Sequence, residues 1–315
     1  MDVYWLSDDK VVHEDSLDNI NPKQLTWIRL TPDDAELFQK VAQKTKIPAK
    51  ELKDFVTEDD EERARFEQFR FVKIIYRTPY LRQGEVATQP LCIFSRDRFI
   101  VTIQKANIDS VTRLEHKLEK NLVRFLFKSK STGRFISHLL DKINDEFFQA
   151  IERIPSIVGR IQSNEFSIPT DVAKQLYSAN ITLSHFNQAI QSNLEVLFSA
   201  RKSYSKQFTP SDRDSFNDLY YDTLHLMDTE KTNRDIISNI FNLQSIIAGE
   251  RVNELFKKLA SYALIIAVPT LISGIYGMNV KLPLQEHPYA FWLILGSMMV
   301  LSATIFFTFK RISWI

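Results

Sequence analysis

The chain has 315 residues, and its 40 Lys and Arg are matched by 39 Asp and Glu, so bulk electrostatics give no support to a nucleic-acid partner. Seven glycines disfavour Gly-rich nucleotide loops, and a single cysteine, Cys92, excludes an intrachain disulfide and fits a reducing compartment. The opening MDVYWLSDDK has no basic-then-apolar leader pattern, so membrane insertion would rely on internal spans.

Residues 1–135 alternate strand and helix signals. Trp27 to Leu30 reads as a strand. Thr31-Pro32-Asp33-Asp34 then supplies an N-cap, a first-turn proline and acidic residues for a helix that continues over Ala35 to Thr45. A second short helix is predicted over Ala49 to Thr57, and the charged run Glu58 to Arg65 reads as a solvated surface. Phe69 to Tyr76, Pro90 to Phe94 and Phe99 to Ile103 are rich in β-branched and aromatic residues, with a turn at Ser95 to Arg98. These elements predict an N-terminal cytoplasmic α/β domain with a small sheet.

From Ser131 the pattern turns helical. Leu139, Leu140, Ile143, Phe147, Phe148 and Ile151 recur at helical spacing in a segment from Phe135 to Ile161 that Pro155 would kink. Thr170-Asp171 caps a helix to about Tyr204, giving an antiparallel helical region over 136–211. Ser211 and Asp214 fit a capping box for the next helix. That helix meets no proline before Pro269 and runs from about Asp212 to Tyr276, roughly 95 Å at the α-helical rise. Its stalk part, 212–258, carries Asp228, Thr232, Asp235, Asn239 and Asn242 on one face, with Ile236, Ile237, Ile240, Leu243 and Ile247 in the complementary region.

Positions 259–280 carry no charge, enough residues to cross a hydrocarbon core of about 30 Å. A first span over 259–279, an external loop over 280–289, a second uncharged span over 290–309 and a basic tail over 310–315 make a transmembrane hairpin. Lys257 and Lys258 precede the first span, and Lys310 and Arg311 follow the second. Clustered cations stay inside, which predicts that both termini are cytoplasmic; the membrane expected is the cell inner (plasma) membrane. The fold class is therefore α+β: an α/β domain, a very long stalk helix and a two-helix membrane hairpin.

The first span closes on Ile275-Tyr276-Gly277-Met278-Asn279. That sequence at the outer end of the penultimate span, with a short loop, a last span, a basic tail and a long charged helical N-terminal region, resembles the CorA family of magnesium channels over the whole chain. The resemblance implies a funnel-shaped homopentamer that admits Mg2+ down its gradient, with Co2+ or Ni2+ also carried and the first span lining the pore. Asn253, Phe256, Leu259, Ala263, Ala267 and Thr270 recur at steps of three or four and match the family's pore-lining positions. None is acidic, so a strongly hydrated Mg2+ would pass with most of its water, past apolar constrictions at Phe256 and Leu259 able to gate by dewetting. Gly277, Met278 and Asn279 would form the selectivity filter, a ring of Asn279 amides reading the ordered waters of the ion. Asp54 and Asp218 match the family's regulatory carboxylates, which bind Mg2+ between neighbouring subunits and close the channel. The acidic run Glu58 to Glu62 would add weaker binding or lie solvated. Glu286 stands near the outer mouth in an altered order from the family's Pro-Glu-Leu segment, a weaker lure for cations.

No P-loop, G-x-G-x-x-G, H-E-x-x-H or Cys-x-x-Cys is present, and the six histidines are scattered without ligand spacing, so an enzyme is not expected. No cofactor is expected; Mg2+ is substrate and regulatory ligand, and the partners are the lipid bilayer and further copies of the chain. Two other functions fit the same architecture: a Zn2+ or other transition-metal transporter of the superfamily, and a membrane-tethered helical scaffold without transport.

Overall fold

The computed structural model describes residues 1–315 except positions 22, 58–63, 83–84, 130, 155–169, 285, 313 and 315. The acidic run Glu58 to Glu62 and the predicted kink at Pro155 lie outside the described residues. Two compact units divide the chain, 1–238 and 239–315.

The first unit is built on a mixed sheet of seven strands: β1 (Asp2–Ser7), β2 (Lys10–Glu14), β3 (Thr26–Leu30), β4 (Arg65–Gln68), β5 (Val72–Arg82), β6 (Glu85–Arg96) and β7 (Phe99–Gln104), in the order β2-β1-β3-β7-β6-β5-β4. Among the described residues the central β3–β7 pairing is the only parallel one, and the other five are antiparallel. β1, β2 and β4 add to the strands predicted from sequence. The predicted start of a strand at Phe69 is corrected: Phe69 N–H donates to Phe71 O at 2.8 Å, closing the β4–β5 turn, and β5 begins at Val72.

Strand alternation sends side chains to two covered faces. On one face Val3, Trp5, Ile28, Leu30, Ile75, Cys92, Phe94, Val101 and Ile103 pack with Phe38 and Val41 of α1 (Phe38–Thr45) and Leu52 and Phe55 of α2 (Ala49–Thr57). On the other, Tyr4 stacks with Trp27, whose indole N–H donates to Thr102 at 2.9 Å and whose ring meets Phe135. That second face is covered by α3 (Asp109–Glu119) and α4 (Gly133–Glu152), and the Tyr76 hydroxyl donates to Asn144 of α4 at 2.9 Å. Helix α5 (Thr170–Arg201) follows, joined to α4 by an edge-on Phe147–Phe186 contact.

Helix α6 runs unbroken from Pro210 to Tyr276, 67 residues. Its start corrects the expected capping box. Thr209, not Ser211, is the N-cap, Pro210 takes the first helical position, and Asp212 Oδ2 accepts from both the backbone N–H and the hydroxyl of Thr209 at 2.7 Å. Thr31-Pro32-Asp33-Asp34 repeats this device at a 3-10 turn over Pro32–Leu37, ahead of α1. Within the first unit α6 buries Phe216, Leu219, Thr223, Leu226, Glu230, Asn233 and Ile237, a stripe of steps of three and four. The second unit holds the rest of α6 and α7 (Ala290–Arg311).

Candidate functional site

Among the described residues of the second unit no apolar side chain is buried. The apolar windows of α6 and α7 are long enough to cross a membrane, and 6% and 0% of them is buried. A core helix of a soluble protein would show the opposite. Lipid and further protein are the environments that stabilise such surfaces. Aromatic residues mark one end of α7, with Tyr289, Phe291 and Trp292 all exposed, while Lys310 and Arg311 sit in its last turn and Trp314 stacks on Phe309 at the other. Ser273 reaches Met298 at 4.0 Å between the two helices.

Every sequence-predicted pore residue is exposed on α6: Asn253, Phe256, Leu259, Ala263, Ala267 and Thr270. At 3.6 residues per turn the five from Phe256 to Thr270 fall within about an 80° arc, and Asn253 lies about 40° outside it. Gly274, which the sequence reading left out, shares the arc. The small side chains at 263, 267 and 274 open a hollow of about 820 Å³ along this helix, walled by Leu264, Ile266, Leu271, Ile275 and Met278. Pro269 stands inside the helix without a donor of its own. The Thr270 hydroxyl is fastened back to Ile266 O at 2.8 Å, leaving its oxygen lone pairs outward.

The helix ends three residues before the predicted end of the span, at Tyr276, so that Gly277, Met278 and Asn279 form the turn that leaves it. Gly277 N–H donates to Ser273 O at 2.9 Å and Met278 N–H to Ile275 O at 3.2 Å. A Cβ on Gly277 would meet Ser273 O at 3.2 Å, a tight approach that a larger residue would relieve only by shifting the turn a few tenths of an ångström. Tyr276 Oη donates to Pro283 O at 3.3 Å, tying the connecting loop to the helix end. Met278 and Asn279 are exposed, as are Lys281 and Glu286 in the loop.

The two regulatory candidates stand far apart in the topology. Asp54 is half-buried on α2, which covers one face of the sheet; Asp218 is exposed on α6, on the side of α4 and the other face. Beside Asp218, the residues Asp222, Asp141, His138 and Arg134 line a cleft of about 290 Å³. Burial, with Lys142 nearby, lowers the His138 pKa, which favours the neutral imidazole. On the stalk, Asp228, Thr232, Asp235, Asn239 and Asn242 are all exposed, as predicted for one polar face. The complementary region divides: Ile237 is buried, whereas Ile236 and Leu243 are exposed, together with Phe241, Ile246, Val252 and Leu255. The sequence reading passed over these last four. Their signal is an apolar series on a helix whose described residues leave these side chains exposed.

Comparison with known proteins accounts for this arrangement. Residues 22–311 match the family model described as CorA-like Mg2+ transporter protein. The chain is 28% identical over 319 residues to the cobalt/magnesium transport protein CorA of Methanocaldococcus jannaschii, covering 99% of both, and 22% identical to the protein of the same name from Thermotoga maritima, covering 92% of this chain and 83% of that one. Its structure matches the complete structure of the M. jannaschii CorA magnesium transporter with a TM-score of 0.87 and 26% identity, covering 100% of this chain and 99% of that one. The chain belongs to the CorA-like Mg2+ transporter family.

Proposed function

We propose that this chain is one subunit of a homopentameric, gradient-driven divalent cation channel of the plasma membrane that prefers Mg2+ and also admits Co2+ and Ni2+. The observation that carries the reading is the arc from Phe256 to Gly274, exposed among the described residues, on a helix that ends at Gly277-Met278-Asn279. Five such helices around an axis would bury the apolar flanks and turn the arc inward. The relatives' names, as cobalt/magnesium transport proteins, support the same cargo.

Mg2+ is small, demands near-octahedral oxygen coordination and dehydrates reluctantly. A path without carboxylates suits an ion that keeps its water, and five Asn279 amides would accept hydrogen bonds from that water at the mouth. With Lys257, Lys258, Lys310 and Arg311 inside, both termini are cytoplasmic and Asn279 faces out. Asp54 and Asp218 close the channel by holding Mg2+ between subunits. Their positions on opposite sides of one sheet support a bridge from one subunit to the next, because within a subunit the sheet stands between them.

The test is Mg2+ uptake into liposomes by the wild type and Asn279→Ala. The channel reading expects uptake by the variant to fall by an order of magnitude or more; equal flux in the two would remove Asn279 from the path. A scaffold without transport would give no flux from either protein.

A further inference from the structure

A second cation chemistry lies at the far edge of the sheet. β2 is the outermost strand, and its His13 stands directly across from Tyr4 of β1. The two rings stack at 4.6 Å with only 9° between their planes, which holds the imidazole in one orientation. His13 Nε2 is then 3.1 Å from Asp2 Oδ1 and 3.7 Å from Asp15 Oδ1, and one ligand atom from each of the three residues lies within 4.8 Å of the others. Ligand atoms around a tetrahedral Zn2+ are about 3.3 Å apart, given bonds near 2.0–2.1 Å, and the two measured separations bracket that value.

An ordinary histidine–carboxylate ion pair explains one of these contacts but not both. A single N–H on Nε2 satisfies Asp2; the second carboxylate, at 3.7 Å, is outside hydrogen-bond range and brings a like charge close to the first. The carboxylate of Asp2 is also oriented from behind. Its Oδ2 lies 3.4 Å from Arg29 Nη1, and Arg29 is itself held by the two oxygens of the nearly buried Glu115 at 2.9 and 3.1 Å. This leaves Oδ1 facing His13, in the manner of outer groups that aim a metal ligand.

We propose that Asp2, His13 and Asp15 form a binding site for a borderline transition-metal dication, Zn2+, Co2+ or Ni2+, with its remaining coordination positions open to water. Imidazole nitrogen selects these ions over Mg2+, which takes oxygen ligands. The site belongs to the first unit, apart from the residues proposed for the Mg2+ path, and it staples the edge strand β2 to β1. It gives the chain a way to register a metal other than its main cargo.

The experiment uses the full-length protein in detergent, stripped with chelator and titrated with Zn2+ and, separately, Co2+, with bound metal counted per subunit. The wild type should retain one Zn2+ more per subunit than His13→Gln in the presence of excess Mg2+, and Asp15→Asn should weaken that Zn2+ by tenfold or more. Co2+ bound at the site should give a ligand-field absorption that His13→Gln loses. Equal Zn2+ stoichiometry in wild type and His13→Gln, or displacement of the extra Zn2+ by equimolar Mg2+, overturns the proposal. Circular dichroism of the metal-free variants verifies the fold, since His13 and Asp15 are exposed. Liposome Mg2+ uptake by His13→Gln should equal that of the wild type, so failure of the channel reading and failure of this site are read separately.

Discussion

Asn193 pairs its side-chain amide with both backbone groups of Arg77: the Arg77 N–H donates to Asn193 Oδ1 at 2.8 Å, and Asn193 Nδ2 donates to Arg77 O at 2.9 Å. The register of β4 on β5 runs from Gln68↔Val72 to Arg65↔Ile75. Two residues further along β5, a side chain of α5 takes over the role of a neighbouring strand. Asn193 is 1% exposed, so the contact is closed to water.

Asn193→Ala therefore strands a donor and an acceptor at once. At roughly 1–3 kcal/mol for each orphaned buried group, the variant should lose about 3 kcal/mol. Thermal unfolding of the full chain in detergent checks it. Asn193→Asp, which keeps an acceptor for the Arg77 N–H but cannot donate to its carbonyl, should fall between wild type and Ala.

The junction of α4 and α6 depends on a glycine. A Cβ built on Gly133 would lie 2.5 Å from Asp212 Cγ, and Asp212 is held by Thr209 and by the Ser131 hydroxyl, so it cannot swing away cheaply. Gly133→Ala should destabilise by about 1–3 kcal/mol, the usual range for overpacking. Asp212→Ala leaves the Thr209 N-cap but removes the carboxylate of its capping box, and should cost about 0.5–2 kcal/mol in the wild-type background. The double variant should keep most of the Gly133→Ala penalty, because Asp212→Ala retains the Cβ that a Cβ on residue 133 would meet at 2.6 Å.

These particulars mark what the sequence makes readable. Thr-Pro-x-Asp names both caps, but locating the second needs the hydroxyl–carboxylate distances, since Ser211 and Asp214 have the same spacing. β1 and β2 escape a pattern search because their hairpin turns on Asp8-Asp9, both at positive φ (46° and 62°), without the glycine that usually signals such a turn. The line from Phe256 to Thr270 is legible because a helix has a fixed period and the stretch carries no competing buried face. The relation of Asp54 to Asp218 is not: it follows from the strand order and from which helices cover which face. The convergence of Asp2, His13 and Asp15 is equally hidden, being a product of the register across that turn.

Glu230 carries a pH dependence with a definite sign. It is sealed between α6 and α5, accepts from Asn187 Nδ2 at 2.7 Å and lies 3.5 Å from Arg234 Nε, with Asp235 nearby. Burial raises its pKa; Asn187 and Arg234 act against that rise, and Asp235 adds to it. With the folded value above the unfolded one, the native state holds the extra proton between them. Its contribution is full below the unfolded carboxyl value, about 4.3, and is lost as pH rises through the raised native value. Glu230→Gln should flatten this slope, so the variant gains on the wild type in melting temperature between pH 4.5 and neutrality. Parallel curves for the two proteins would mean that the carboxylate ionises at no cost.

If Asp54 and Asp218 share one Mg2+ across a subunit boundary, they act as a unit. Asp54→Asn and Asp218→Asn should each raise the Mg2+ concentration that halves flux by roughly tenfold, the effect of ~1.4 kcal/mol of lost binding. The double variant should do no more than either single, which a dose–closure series in liposomes would measure. Additive shifts would instead describe two separate sites, with Asp218 drawing on Asp222 and Asp141 in its own subunit.

If Phe256 lines the proposed pore, its substitutions separate two kinds of gate. Its side chain is 65% exposed in the chain and shares the arc with Leu259, 64% exposed, one helical turn on. A gate that closes by dewetting depends on apolarity as well as bore. Phe256→Ala widens the constriction and keeps it apolar; Phe256→Gln keeps much of the bulk and adds groups that hold water. If Mg2+ closes the wild type as proposed, a dewetting gate should then leak in both variants, with residual flux up about tenfold in Phe256→Gln, an energy of ~1.4 kcal/mol. A purely steric gate would leak only in Phe256→Ala. If closed-state flux stays at the wild-type level in both while the channel still opens at low Mg2+, Phe256 packs against a neighbouring helix and the constriction lies elsewhere on the arc.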